Sequence, residues 1–190
     1  MTVTRREFVL GALSSALFIS SRRAEASVAR ALSLGELLYR SSNVLVGTAV
    51  DAYAAWEVVG KRRCIVTYSL FRVEEPLDGR EPPAPEVTIR TLGGTVGELG
   101  QKFFGEADVA LRQRATVFVH DTAPSLYVVT AMAQGHYPLL PDDRGVHRLR
   151  ASFDAVSISD SSDAAMRRLD GRTTAEAAEL LAREIDVGRR

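Results

Sequence analysis

Val44-Leu-Val-Gly-Thr-Ala-Val-Asp-Ala-Tyr53 and Cys64-Ile-Val-Thr-Tyr-Ser-Leu-Phe-Arg-Val-Glu74 are the two stretches that decide the fold. In the first, Val44, Val46, Thr48 and Val50 alternate with Leu45, Gly47, Ala49 and Asp51, the period of a strand buried mainly on one side. Gly47, inside that pattern, marks a bulge or bend. The second stretch is dominated by β-branched and aromatic residues, which suit a pleated, half-buried surface. Val58-Val-Gly-Lys-Arg-Arg63 links the two, so together they predict a long hairpin in a mainly β chain.

Toward the C-terminus, Pro76 to Pro85 holds four of the seven prolines together with Asp78-Gly79, which requires a loop. A third strand follows as Glu86-Val-Thr-Ile-Arg-Thr-Leu92, with Val87, Ile89 and Thr91 on one face. Ala115 to His120 and Leu126 to Met132 read as two more strands joined by a turn over Asp121 to Ser125, and His136 to Leu140 as a short last one before Pro141-Asp-Asp-Arg-Gly145. About six short strands separated by turns predict a small antiparallel sandwich or barrel.

Helices flank this core. Ser33-Leu-Gly-Glu36 has the form of a capping box and predicts a short N-terminal helix to about Arg40, with Leu34, Leu37 and Leu38 as its apolar face. Thr173 and Glu176 repeat the box before Ala177, Leu180, Leu181 and Ile185, which lie at helical spacing. Ser157 to Asp163 is polar and reads as a linker. The expected organisation is an export signal over 1–26, a β-barrel domain over 27–150, and a linker with C-terminal helix over 151–190.

The signal rests on residue order. Thr4-Arg5-Arg6-Glu7-Phe8 matches a hydroxyl residue, two arginines, any residue and a large apolar one, the pattern of twin-arginine export signals, with Arg5, Arg6 and Phe8 as its recognition residues. The apolar stretch from Phe8 to Ile19 would span about 18 Å as a helix, against a hydrocarbon core of roughly 30 Å. It therefore makes no stable membrane span after cleavage. Arg22 and Arg23 follow, and Ala24-Glu25-Ala26 supplies a small-x-small cleavage site at Ala24 and Ala26. The expected location is periplasmic or secreted, with the twin-arginine translocation machinery as partner during export.

Residues 1–26 carry Arg5, Arg6, Arg22 and Arg23 against Glu7 and Glu25; of the 24 basic and 24 acidic residues of the chain, 20 and 22 remain in a 164-residue mature protein of net charge −2. No global basic field recruits nucleic acid or an anionic membrane. Cys64 is the only cysteine, so no intramolecular disulfide forms, and its apolar surroundings read as those of a small buried hydrophobe.

Asn43-Val-Leu-Val-Gly-Thr-Ala-Val50, Thr67-Tyr-Ser-Leu-Phe-Arg-Val-Glu-Glu-Pro-Leu77, Val87-Thr-Ile-Arg90 and Ala115-Thr-Val-Phe-Val119, preceded by a helix, resemble the strand order of netrin-like modules, which have an OB-type barrel. The same order, with Gly93-Gly94, is similar to a group of exported bacterial proteins of unassigned function. The resemblance covers residues 33 to 140 and implies an OB-like or netrin-like barrel. Netrin-like metalloprotease inhibitors chelate zinc through an N-terminal cysteine and carry several disulfides; this chain has neither, so their inhibitory chemistry is not implied.

The most distinctive segment is Gly93-Gly-Thr-Val-Gly-Glu-Leu-Gly-Gln-Lys-Phe-Phe-Gly105, with glycine at 93, 94, 97, 100 and 105. Closely spaced glycines let backbone N–H groups approach an anion. The Gly-x-Gly-x-x-Gly spacing and the Lys-Ser/Thr ending of nucleotide loops are missing, so a bulged crossing over a barrel end is the simpler reading. Adjacent Phe103 and Phe104 cannot both face inward if the segment is extended, which leaves one available to a ligand or partner. No catalytic constellation accompanies them. His120, His136 and His147 form no short metal-ligand pair, His120-Asp121 has no nucleophile motif beside it, and Glu74-Glu75 and Asp142-Asp143 sit at turns where charge is solvated. Lys61-Arg62-Arg63 is a local basic patch.

The sequence therefore predicts a non-enzymatic exported module that binds a protein or small molecule through Gly93, Gly94, Gly97, Gly100, Phe103 and Phe104. It predicts no catalytic residue, metal site or cofactor. The alternative is an enzyme or metal- or cofactor-binding protein whose site is assembled from distant residues. A third possibility is a structural partner for another envelope protein, engaged through the final helix.

Overall fold

The computed structural model describes residues 30–152 and 164–188. The segment expected to be an export signal and the stretch over 157–163 expected to be a linker lie outside the described residues, as do Arg5, Arg6, Phe8, Ala24 and Ala26.

The hairpin that decides the fold is present and longer than its sequence pattern suggests. Strand β1 runs Asn43–Val59 and β2 Arg62–Pro76. The expected linker reduces to the pair Gly60-Lys61, with Gly60 at φ +64°, as a tight two-residue turn requires. Register shifts interrupt the pairing at Val46/Gly47 and Ala49/Asp51. A Cβ on Gly47 would lie 2.1 Å from the Arg72 carbonyl oxygen, so only glycine permits that approach. Both faces of β1 are buried from Val44 to Gly47, a correction to the one-sided burial expected from its alternation. Val44 and Val46 pack under the helices, whereas Leu45 and Ala49 belong to a second apolar cluster.

The remaining strands are β3 Glu86–Leu92, β4 Gly94–Val96, β5 Leu99–Gln101, β6 Arg114–Ala123, β7 Leu126–Val129, β8 His136–Pro141 and β9 His147–Leu149. The large sheet has seven strands in the order β1-β2-β3-β7-β6-β8-β9, and β6 also pairs with β1. The pairings β1-β2-β3-β7-β6 thus return to β1. A circuit of five members cannot alternate direction all the way round, so one pair must be parallel. That pair is β3–β7. The sheet is therefore mixed, which corrects the all-antiparallel expectation. The strand expected over Leu126 to Met132 stops at Val129, because Ala131 and Met132 both take positive φ before a 3₁₀ turn over Met132–Gly135.

Both capping boxes form. Ser33 Oγ accepts from the Glu36 N–H at 3.2 Å and Glu36 returns the bond to the Ser33 N–H at 3.0 Å, opening α1, Leu34–Tyr39. Thr173 and Glu176 do the same for the C-terminal helix, Thr174–Gly188, here α3. A short helix not anticipated from sequence, α2, Ala165–Leu169, precedes it. The three helices bury Leu34, Leu37, Leu169 and Leu181 against Phe118, Tyr137 and Leu149, and Arg168 meets Glu184 at 2.9 Å. The C-terminal helix therefore packs on its own sheet. The second cluster, around Leu45, Phe71, Val87, Ile89 and Val117, fills the opposite side.

Candidate ligand-binding cavity

On the face of β2 and β3 that carries this second cluster, successive paired positions are Phe71 with Val87, Ser69 with Ile89, and Thr67 with Thr91. Side chains two apart share a face, so the stripe passes from apolar to hydroxyl-bearing as it approaches the end of β3. Beyond Leu92 the ladder stops and Gly93-Gly94 turn the chain across β2.

This crossing is tied down at several points. The Gly93 N–H donates to the Ile65 carbonyl at 2.8 Å, Thr67 Oγ1 donates to the Gly93 carbonyl at 2.7 Å, and the Ile65 N–H donates to Gln101 Oε1 at 2.7 Å. Gly94 has φ +128°, and a Cβ there would lie 2.3 Å from Thr67 Oγ1. Residues Gly94 to Gln101 form the β4–β5 hairpin, with Gly97 at φ +61° in its turn. The glycine-rich segment is thus an ordered two-stranded ribbon for much of its length rather than the loop expected from its composition.

Under the ribbon lies a cavity of about 760 Å³. One wall is the Thr67, Thr91, Gly93, Gly94 crossing, another is Gly100 to Phe103, a third is Glu106 to Val109, and β8 adds His136 and Pro138. Gly93, Gly94, Gly100 and Phe103, four of the residues singled out in the sequence, come together here. Gly97 and Phe104 do not line the cavity. Gly97 occupies the exposed hairpin turn, and Phe104 is 87% exposed, so the two adjacent phenylalanines divide between the cavity and the outer surface.

Two titratable groups in the cavity are shifted by burial. The Glu106 carboxyl is pushed above the usual carboxylate range, although the Ala107 N–H donates to its Oε1 at 3.0 Å and Arg90 opposes the shift. His136 is 2% exposed, and burial lowers its pKa from 6.5 to about 4 against the opposing charge of Asp108. The imidazole is therefore neutral at neutral pH, with one ring nitrogen a donor and the other an acceptor. Its Nδ1 is buried without a hydrogen-bond partner among the described residues. Residue pattern alone missed Glu106, Asp108, Gln101 and the role of His136. The available signal was the interruption of the apolar stripe by Ser69, Thr67 and Thr91.

The other sequence candidates are accounted for structurally. His120 approaches Thr130 Oγ1 at 3.4 Å and His147 is exposed, so the three histidines stay apart. Glu74 and Glu75 pair with Arg114, and Asp142 with Arg148 at 2.7 Å. Arg63, from the basic patch, stacks over Trp56 at 5.0 Å. Cys64 is buried and free. Among the described residues no cluster of three or more His, Cys, Asp and Glu side chains is placed to hold a metal ion, and no helix is long and apolar enough to cross a membrane. Comparison with protein-family models, curated proteins and solved structures finds no match to this chain. The cavity's chemistry has therefore to be read from its own residues.

Proposed function

We propose that the protein is an exported binding module that takes a small ligand in the cavity beneath the β4–β5 ribbon. The observation that carries this is the position of the cavity: its volume of about 760 Å³ is walled by the same glycine-rich segment that has no other evident use, and it falls within the roughly 300–1,000 Å³ range of small-molecule sites. We read the scaffold as an OB-type barrel of netrin-like strand order, on the grounds of the pairing circuit and its one parallel pair. Export through the twin-arginine route, to the periplasm or beyond, is part of the same proposal and rests on Arg5, Arg6 and the residues after them.

One experiment tests both halves. Native and denaturing mass spectrometry on protein recovered from its own compartment should give the mass of residues 27–190 and a non-covalent organic adduct that a Phe103→Ala variant loses. Full-length mass in the cytoplasm would overturn the export half. A wild-type protein without an adduct, and without saturable binding of any compound in a small-molecule screen, would overturn the binding half.

A second reading is favoured by one observation: Glu106 and His136, both perturbed by burial, line the same cavity. Perturbed groups facing a cleft are a signature of acid–base catalysis. Recovery of a chemically altered ligand after incubation with wild-type protein, but not with the Glu106→Gln variant, would replace binding by catalysis.

A further inference from the structure

The cavity's polar groups narrow the chemistry of what it takes, on the premise that it is a binding site. Among the described residues that line it, the carboxylates Glu106 and Asp108 outnumber the cation Lys102, which disfavours a phosphorylated or carboxylated ligand. Glu106 already accepts the Ala107 and Leu92 N–H groups, and Asp108 is matched in charge by Lys102, so the lining offers a cation little. A wholly apolar ligand would cover the Gln101 amide N–H₂ without pairing it, at a cost of about 1–3 kcal/mol. What remains is a neutral molecule with many groups that both donate and accept.

A hydroxyl does both. Gln101 spends its carbonyl oxygen on the Ile65 N–H, which leaves its amide N–H₂ to donate. Glu106 accepts from the Ala107 and Leu92 N–H groups and has lone pairs left for a further donor. The half-buried ring of Phe103 supplies a flat apolar surface of the kind on which the C–H face of a sugar ring packs.

We infer that the cavity binds a neutral polyhydroxyl ligand, a short oligosaccharide segment, with one sugar ring on Phe103 and hydroxyls on Glu106 and Gln101.

The test is an amide-resolved NMR titration of the protein with three neutral probes, maltotriose, cellotriose and chitotriose, and two charged ones, spermidine and citrate. A saturable shift of the Gly93, Gly94, Gly100 and Ala107 amides by at least one trisaccharide is expected. Phe103→Ala should weaken it about tenfold or more. Phe104→Ala, at the exposed neighbour that does not line the cavity, should leave it within about threefold. Both variants are checked for folding by their amide spectra. Spermidine saturating these amides and lost in Glu106→Gln would overturn the neutral class while leaving a binding site in place. Citrate binding there would do the same. If none of the five moves these amides the inference falls, while the binding reading stands or falls separately with the adduct in the native mass spectrum.

Discussion

The two ends of the stripe on β2 and β3 have the same backbone and opposite chemistry. At one end Phe71 and Val87 are paired, fully enclosed and surrounded by Leu45, Ile89 and Val117. At the other, two residue pairs along, Thr67 and Thr91 border an open cavity roofed by glycines. The first end secures the fold and the second spends stability on space. Truncation should separate them most sharply. Phe71→Ala should cost about 3–5 kcal/mol, the range for a large aromatic removed from a closed core, whereas Phe103→Ala, at the cavity wall, should cost under about 1 kcal/mol. Urea unfolding of both variants measures the contrast, and equal losses would mean that the cavity end is packed as tightly as the core.

The next largest effect comes from His136, a polar group enclosed at the open end without compensation. Its folded-state pKa, about 4, lies below the ordinary 6.5. The unfolded chain therefore takes up a proton first as the pH falls. Stability is full above about 6.5 and declines toward about 4, by roughly 3 kcal/mol if the whole shift is expressed. Melting temperatures from pH 7.5 to 4 should fall more steeply for wild type than for His136→Gln. Parallel curves would show that His136 is hydrated rather than enclosed.

Glycine positions sharpen the comparison further. Gly94 and Gly97 both have positive φ, but a Cβ at Gly94 would meet Thr67 Oγ1 at 2.3 Å while one at Gly97 would meet nothing within 4 Å. Thr67 is itself held to the Gly93 carbonyl and cannot swing away cheaply. Gly94→Ala should cost about 1–3 kcal/mol and disturb the cavity, and Gly97→Ala about 1 kcal/mol with the cavity intact. Thermal melts and the NMR titration together distinguish the two outcomes.

Much of the scaffold was legible because local rules act within a few residues. The boundaries of β3 are those of its alternating run, Glu86–Leu92, and both capping boxes opened their helices where Ser33 and Thr173 stand. The parallel pairing of β3 with β7 was not legible, since it follows from the odd number of strands in the circuit and not from any residue in them. The cavity was half legible. Clustered glycines announced an unusual backbone, yet Glu106 and His136 lie in different segments and meet only because β8 pairs with β6 beside the returning chain. A histidine isolated in sequence carries no sign that its ring will be enclosed.

The smallest effect tests whether the open end is strained by its own chemistry. Burial raises the Glu106 pKa, so the folded state resists the carboxylate more than the unfolded chain does. A raised pKa contributes stability that is complete below the ordinary carboxylate value and lost as the pH rises through the folded value. At neutral pH the ionised side chain is therefore a net cost, and Glu106→Gln, which has no charge to bury, should be more stable than wild type there. The gain should be small, because the Ala107 and Leu92 N–H groups and the positive charge of Arg90 already offset part of the penalty. Below about pH 4, where both side chains are uncharged, the gain should vanish. A difference that is flat with pH would place its origin in the Ala107 and Leu92 hydrogen bonds. A difference that closes on acidification would show that Glu106 is retained despite its cost, as expected of a group kept for the ligand and not for the fold.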